Sequence, residues 1–267
     1  MSKNETKVKE QNNPKPASPP GKLQLQCKAI TVKSLMNMIA TICEEPTLEA
    51  TQELLKFRAM DTSHIACLDI EIPSKEFDSF SCTKDMKFTI KAESLQNILK
   101  RFSDKSVLSI AIDENDAMNI STQDGFVQSY TLHLLETAYS NTPLPKMDFN
   151  SKVEMKNSGL AKIIKDIDVI SDHIDIDVGV DSIRFYGKSD VGHGSIELPK
   201  VSENIVSLEV KEPSKSTYNL DYLKSFMQCV YADALTLELS SKMPLRIETK
   251  LEDKGRIHFY LAPRIDK

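Results

Sequence analysis

Five histidines (His64, His133, His173, His193, His258), five cysteines (Cys27, Cys43, Cys67, Cys82, Cys229) and 39 acidic residues could ligate a metal or move a proton in this chain. Their spacing assembles no site. The histidines form no HExxH pair, and none has a Cys or Ser partner suited to a nucleophile–base couple. The cysteines are odd in number and lack a CxxC pair, which points to buried reduced thiols rather than a zinc site or a disulfide framework. The run "DIDVG" (175–179) has the opening spacing of a calcium loop. However, Ile176 and Val178 alternate as in a strand and no glutamate stands at the last loop position, so Asp175 and Asp177 read as the solvent side of a strand. Neither GxxxxGK[ST] nor GxGxxG is present, so no nucleotide loop is indicated. The sequence therefore predicts no catalytic residue, no metal and no cofactor.

A different kind of chemistry is offered by "FRAMDTSHIACLDIEI" (57–72), which reads as two strands around a turn. Turns are usually built from Gly, Pro and Asn; this one holds Met60, Asp61 and His64. It is either a hairpin with an oily tip or a surface that meets a partner. The chain around it has 267 residues, 40% hydrophobic and 27% charged, with a net charge of −5. That is ordinary globular composition with room for one large or two small domains. An acidic balance gives no bulk attraction to nucleic acid, so any such binding requires basic groups gathered on one face. No apolar run approaches the roughly 20 residues of a membrane span, and no apolar signal core opens the chain, so an intracellular protein is expected. Residues 1–22 carry four prolines and almost nothing to bury, which predicts a disordered tail.

The elements that position these residues come in two copies. At an offset of 128, Val32, Leu35, Met36, Ile39 and Ile42 fall on Leu160, Ile163, Ile164, Ile167 and Ile170. Each set is one apolar helix face. Leu95, Ile98, Leu99 and Phe102 fall on Leu223, Phe226, Met227 and Val230, a second helical stripe. Phe57 falls on Phe185, "LDI" (68–70) on "IEL" (196–198), Val107, Ser109 and Ala111 on Leu235, Leu237 and Leu239, and Tyr130 and Leu132 on His258 and Tyr260. Each half then reads as strand, helix, several antiparallel strands, a second helix and more strands. The prediction is an α+β chain of two tandem similar domains, 23–133 and 150–267, joined by an extended connector over 134–149 that contains two prolines.

Helices are expected over 31–43, 93–103, 160–170 and 219–230. Their polar faces show Lys33, Asn37 and Thr41; Asn97, Lys100 and Arg101; Lys162 and Lys165; and Lys224, Ser225 and Gln228. Acidic residues gather elsewhere, as in "DENDAMN" (113–119) and "DHIDID" (172–177). If all four helices shared one surface, that surface would be positive against an acidic background, suited to phosphate contacts without sequence specificity.

The tandem repeat, "RAMDTSHIACLDIEIPSKEF" (58–77), "FYGKSDVGHGSIEL" (185–198) and the terminal "FYLAPRI" (259–265) resemble a DNA sliding clamp of the proliferating cell nuclear antigen type, archaeal in flavour. The resemblance covers about residues 23–265. It implies the DNA clamp fold: three two-domain chains closing head to tail into a ring, helices lining the hole and sheets outside. It implies that Lys33, Lys100, Arg101, Lys162, Lys165 and Lys224 face duplex DNA, in a lining thinned by Asn37, Thr41, Asn97 and Gln228. It also implies a hydrophobic pocket made by Met60, His64 and Ile65 at the turn, Leu144 and Pro145 of the connector, Pro244, and Tyr260, Leu261, Ala262 and Pro263. Thr142 departs from the apolar connector residue common in that family.

The resemblance further implies that this pocket takes peptides of the form Gln-x-x-aliphatic-x-x-aromatic-aromatic, docked as a short helical turn. The implied partners are DNA polymerase, an ATP-driven clamp loader, flap endonuclease and DNA ligase. Ring closure would pair the edge strands near 126–132 and 193–199, between copies of this chain or between different chains. The implied role is a non-enzymatic processivity factor for replication and repair. A checkpoint-type clamp recruiting damage-signalling proteins is the alternative, and a DNA-modifying enzyme lacks the residues it would need.

Overall fold

The structure, a computed structural model, describes residues 21–264 except 125, 138–142, 145 and 252–254. The expected tail therefore lies almost wholly outside the described residues, as do Thr142 and Pro145. The first half runs β1 (Leu23–Lys28), α1 (Ala29–Ala40), β2 (Thr47–Ala50), β3 (Leu54–Met60), β4 (Ala66–Pro73), β5 (Ser79–Cys82), β6 (Met86–Thr89), α2 (Ala92–Leu99), β7 (Val107–Ile112), β8 (Ala117–Thr122) and β9 (Gln128–His133). The second repeats it: β10 (Ser151–Lys156), α3 (Asn157–Asp168), β11 (His173–Val178), β12 (Ser182–Ser189), β13 (Gly192–Pro199), β14 (Ile205–Val210), β15 (Ser214–Asn219), α4 (Leu220–Met227), β16 (Ala234–Leu239), β17 (Leu245–Leu251) and β18 (Gly255–Leu261). Both helical stripes are confirmed: Leu35, Met36 and Ile39, and likewise Ile163, Ile164 and Ile167, are buried. The helices begin where β1 and β10 end, and α2 and α4 finish earlier than expected. Past Leu99 the chain closes tighter turns, Arg101 N–H to Ile98 O and Phe102 N–H to Leu99 O.

The repeat offset is not constant, which corrects three alignments. Leu25 of β1 opposes Ile110, whereas Val153 of β10 opposes Leu237. Ile110 and Leu237 are thus equivalent, and the core residues of β7 are Leu108, Ile110 and Ile112, not Val107, Ser109 and Ala111. Ile120 opposes Tyr130 while Ile247 opposes Phe259, so Tyr130 and Leu132 correspond to Phe259 and Leu261. Phe57 opposes Ile70 while Phe185 opposes Ile196, so Leu68 and Ile70 correspond to Gly194 and Ile196. Because side chains alternate at period two, an odd change in turn length exchanges the core and solvent faces.

Each half contributes a five-stranded and a four-stranded sheet. The first half's five-stranded sheet, β5-β1-β7-β8-β9, and the second half's four-stranded sheet, β13-β12-β11-β15, stand alone. The other two fuse into nine strands, β14-β10-β16-β17-β18-β4-β3-β2-β6, through the antiparallel pair β18 and β4. Across that seam Ile257 opposes Ile70, Phe259 opposes Leu68 and Leu261 opposes Ala66, all buried on one face. Both helix pairs therefore lie on the same side of the fused sheet, and Phe226 of α4 stacks on Phe259 at 4.4 Å.

The opposite face carries three polar pairs, of which Arg256 with Glu71 crosses the seam and the other two flank it within each half. Arg58 donates to Asp69 at 2.8 Å, Arg256 to Glu71 at 2.6 Å, and His258 Nε2 lies 3.1 Å from Glu248. Burial holds the His258 imidazole below its ordinary pKa despite the opposing pull of Glu248, so the seam is built with a neutral ring. A depressed histidine contributes stability above its unfolded value of 6.5 and loses it as pH falls toward the folded value. His258→Gln should therefore flatten the drop in melting temperature between about pH 7.5 and 5.5. Calorimetry across that range checks this, and an unchanged slope would contradict it.

Candidate docking and assembly surfaces

The turn between β3 and β4 is built around Asp61. Its carboxylate accepts from the backbone N–H of Ser63 (3.2 Å), Ile65 (2.8 Å) and Ala66 (2.7 Å), and from the Tyr222 hydroxyl of α4 (2.7 Å). His64 takes a left-handed backbone conformation, φ 57°, which closes the turn. Burial alone would raise the Asp61 carboxyl, but the donors from Ala66, Tyr222, Ile65 and Ser63 outweigh it and hold the pKa below 3.8. Asp61 is thus the turn's anchor, and its apolar neighbours Met60 and Ile65 are left exposed beside His64. The matching turn in the second half, Asp190-Val191, is two residues shorter in register and exposes a single apolar side chain, Val191.

The C-terminal segment docks beside this tip, with Ala262 N–H donating to Ile65 O at 2.8 Å and Arg264 N–H to Thr217 O at 2.7 Å. Cross-strand register then defines one outward-facing row: Met60, Cys67, Tyr260, Arg246, Glu238, Lys152 and Glu209. Met60, Ile65, the largely buried Tyr260 and Ala262 are therefore neighbours. Pro244 and Pro263 are half-buried at the adjoining strand ends and Leu144 is half-buried on the connector. Pro145 lies outside the described residues.

Leu261 is a correction: it follows Tyr260 on an alternating strand, has no exposed surface, and faces the helices. Three residues of this row and its rim went unrecognised in the sequence, one of them, Cys67, buried. Cys67 lies between Met60 and Tyr260; Arg246 lies beside Tyr260; and Phe149 of the connector covers Arg246, with the guanidinium carbon 4.8 Å from its ring centroid. Alternation from Tyr260 gives the outward side, but only the register identifies which residues share the row.

The helix lysines are more neutralised than their sequence pattern implied. Lys33 pairs with Asp104 at 2.6 Å and Phe102 O at 2.7 Å, Lys162 with Asp166 at 2.7 Å, and Lys224 with Asp168 at 2.8 Å. Lys100 binds the Asn97 carbonyl at 3.1 Å. Among the described residues, Lys100, Arg101 and Lys165 have no carboxylate partner. The two remaining unpaired edges of interest are β9 and β13, the counterparts of β18 and β4.

Family models for the proliferating cell nuclear antigen match over most of the described chain, the N-terminal domain at residues 22–141 and the C-terminal domain at 143–264. The DNA polymerase sliding clamp of Nitrosopumilus maritimus is 38% identical over 237 residues, covering 88% of this chain and 95% of that protein. The sliding clamp of Cenarchaeum symbiosum is 35% identical over 236 residues, covering 88% and 94%. The crystal structure of PCNA from Thermococcus kodakaraensis superposes with a TM-score of 0.87 at 18% identity, over 91% of this chain and all of that one.

The Asp61 anchor makes a direct prediction. Asp61→Ala strands three backbone donors and should cost about 2–3 kcal/mol in urea unfolding, with Asp61→Asn costing less. A loss within about 0.5 kcal/mol for Asp61→Ala would mean the turn is held by other contacts.

Proposed function

Because this chain belongs to the proliferating cell nuclear antigen family, we propose that it works as a closed, non-catalytic ring of three copies that encircles duplex DNA. It is a sliding clamp, a processivity factor for DNA polymerase. The matched relatives are named DNA polymerase sliding clamps, which favours this role over a checkpoint-type clamp.

The observation that carries the ring is the seam. Within the chain, β18 of the second half pairs with β4 of the first; their counterparts β9 and β13 are both unpaired edges. An exposed strand edge is a template for another chain. Applying the seam's register to the structurally equivalent residues sets Tyr130 opposite Gly194, Gln128 opposite Ile196 and Ser129 opposite Ser195 of the next copy. Tyr130 already packs edge-on against Phe102, 5.6 Å between centroids, as Phe259 packs on Phe226 at the inner seam. Opposite it, a glycine leaves room for the ring. Such head-to-tail contacts give either closed rings or open filaments; the family fold favours closure.

The helices then line the hole, with Lys100, Arg101 and Lys165 as the strongest candidates for phosphate contact and Lys33, Lys162 and Lys224 weakened by their carboxylate partners. Sparse, sequence-independent contacts suit a tether that slides. On the outside, Met60, His64, Ile65, Leu144, Pro244, Tyr260, Ala262 and Pro263 form the docking surface for aromatic-anchored partner peptides from polymerase, loader, flap endonuclease and ligase.

The register is testable. Ser129→Cys with Ser195→Cys should give efficient disulfide cross-linking between copies under mild oxidation, trapped as a covalent trimer on a denaturing gel. A slipped pair, Thr131→Cys with Ser195→Cys, should cross-link poorly. Equal cross-linking of the two pairs, or none, would contradict the seam-derived register.

A further inference from the structure

The outward face of the first half's five-stranded sheet is unlike that of the nine-stranded one. Leu25 and Ile110 are buried toward the helices, so Gln26 and Ser109 face away, and the register continues their row through Ser121 to Ser129. Gln24 and Asn119 stand in the next row. A cleft of about 350 Å³ lies over both rows, and among the described residues that wall it Asp113 alone is charged. Its chemistry is that of hydroxyls and primary amides, which donate hydrogen bonds without carrying charge. Gly21 itself walls the cleft, and the chain is pinned there. A Cβ on Gly21 would lie 2.5 Å from Ile112 O, Thr83 N–H donates to Lys22 O at 3.0 Å, and Lys22 Nζ pairs with Asp116 at 2.8 Å. Residues 1–20 therefore lead off from the mouth of the cleft.

We propose that residues 14–20 of the chain's own N-terminal segment dock in this cleft, laid across β1, β7 and β8 with their backbone carbonyls on its side-chain donors. The run "PKPASPP" (14–20) contains four prolines. Proline has no N–H and favours an extended polyproline II backbone, which makes no internal hydrogen bonds. Such a run needs donors and offers few, and the Ser, Gln and Asn side chains of the cleft supply them. Seven residues in that form span about 22 Å, and five paired strands are about 19 Å across. Charge points the same way: residues 1–20 hold four lysines against two glutamates, and Asp113, Glu114 and Asp116 make one corner of the cleft acidic. The attachment at Gly21 gives the segment a high effective concentration over the site, and its prolines lower the cost of ordering. Because the cleft lies on the face opposite α1 and α2, the docked segment is held on the outer side of the sheet.

The test uses the full-length chain with a thiol reporter in the cleft, Ser121→Cys, whose alkylation rate is followed by peptide mass mapping. The native segment should slow alkylation about fivefold relative to a chain that also carries Pro14→Gly, Pro16→Gly, Pro19→Gly and Pro20→Gly. Ser109→Cys, on the adjoining strand, should show the same difference, and Ser207→Cys, on β14 outside the cleft, should show none. Equal rates with either segment at both cleft reporters overturn the proposal. Equal slowing at Ser207→Cys means general shielding by the segment and also overturns it. Protection that rises with protein concentration and ignores the proline changes assigns the face to a second copy, which overturns it too.

Discussion

Everything in this molecule depends on the antiparallel pairing of β18 with β4. It joins two half-sheets that would otherwise each expose an edge, and its register fixes which side of nine strands faces the helices. The inner face is sealed by Ile257, Phe259 and Leu261 against Ile70, Leu68 and Ala66. The outer face is tied across the seam by Arg256 to Glu71, beside Arg58 and Asp69, which pair within the first half. Surface ion pairs add little individually; the apolar side supplies most of the adhesion and the charges fix the register. The same chain then carries a second, unsatisfied copy of that joint, β9 and β13, placed one at each half. The assembly we propose is the internal joint repeated between chains.

The second dependency is the Asp61 turn. Two extra residues in this hairpin, relative to its repeat, carry His64 and Ile65 beyond the strand end at Met60, while one carboxylate absorbs the backbone donors that the bend exposes. The Tyr222 hydroxyl, from the other half of the chain, donates to the same carboxylate. The docking tip is therefore fixed by contacts from both halves, and the seam and the docking row share residues: Tyr260 pairs with Cys67 across it. The docking surface we propose is thus built on paired strands and an anchored turn, where shape can be held for recognition.

Helical faces were legible because their three-four spacing survives a shift of frame, and Leu35, Ile39, Ile163 and Ile167 are core residues as read. Strand faces were less secure. A period of two makes the assignment sensitive to single-residue changes in turns, so the constant offset aligns Val107 with the core residue Leu235 where Leu108 belongs. The stretch "VLSIAI" held the correction, since its stronger apolar alternation falls on Leu108, Ile110 and Ile112. Leu261 was misplaced for a related reason: adjacent residues of a motif cannot share one face of a strand. Met60, Ile65 and Tyr260 were legible through resemblance. Cys67, Arg246 and Phe149 were not, because cross-strand neighbours are set by register, which one sequence does not display. The ion pairs that neutralise Lys33 and Lys224 come from residues distant in sequence, Asp104 and Asp168, and were equally out of reach.

The central claim is that the internal joint is repeated between copies until the ring closes, and absolute molar mass in solution tests it most directly. Light scattering over a wide concentration range should give a plateau at three times 30.0 kDa. A mass that stays at 30.0 kDa throughout, or one that climbs without a plateau as an open filament would, contradicts it.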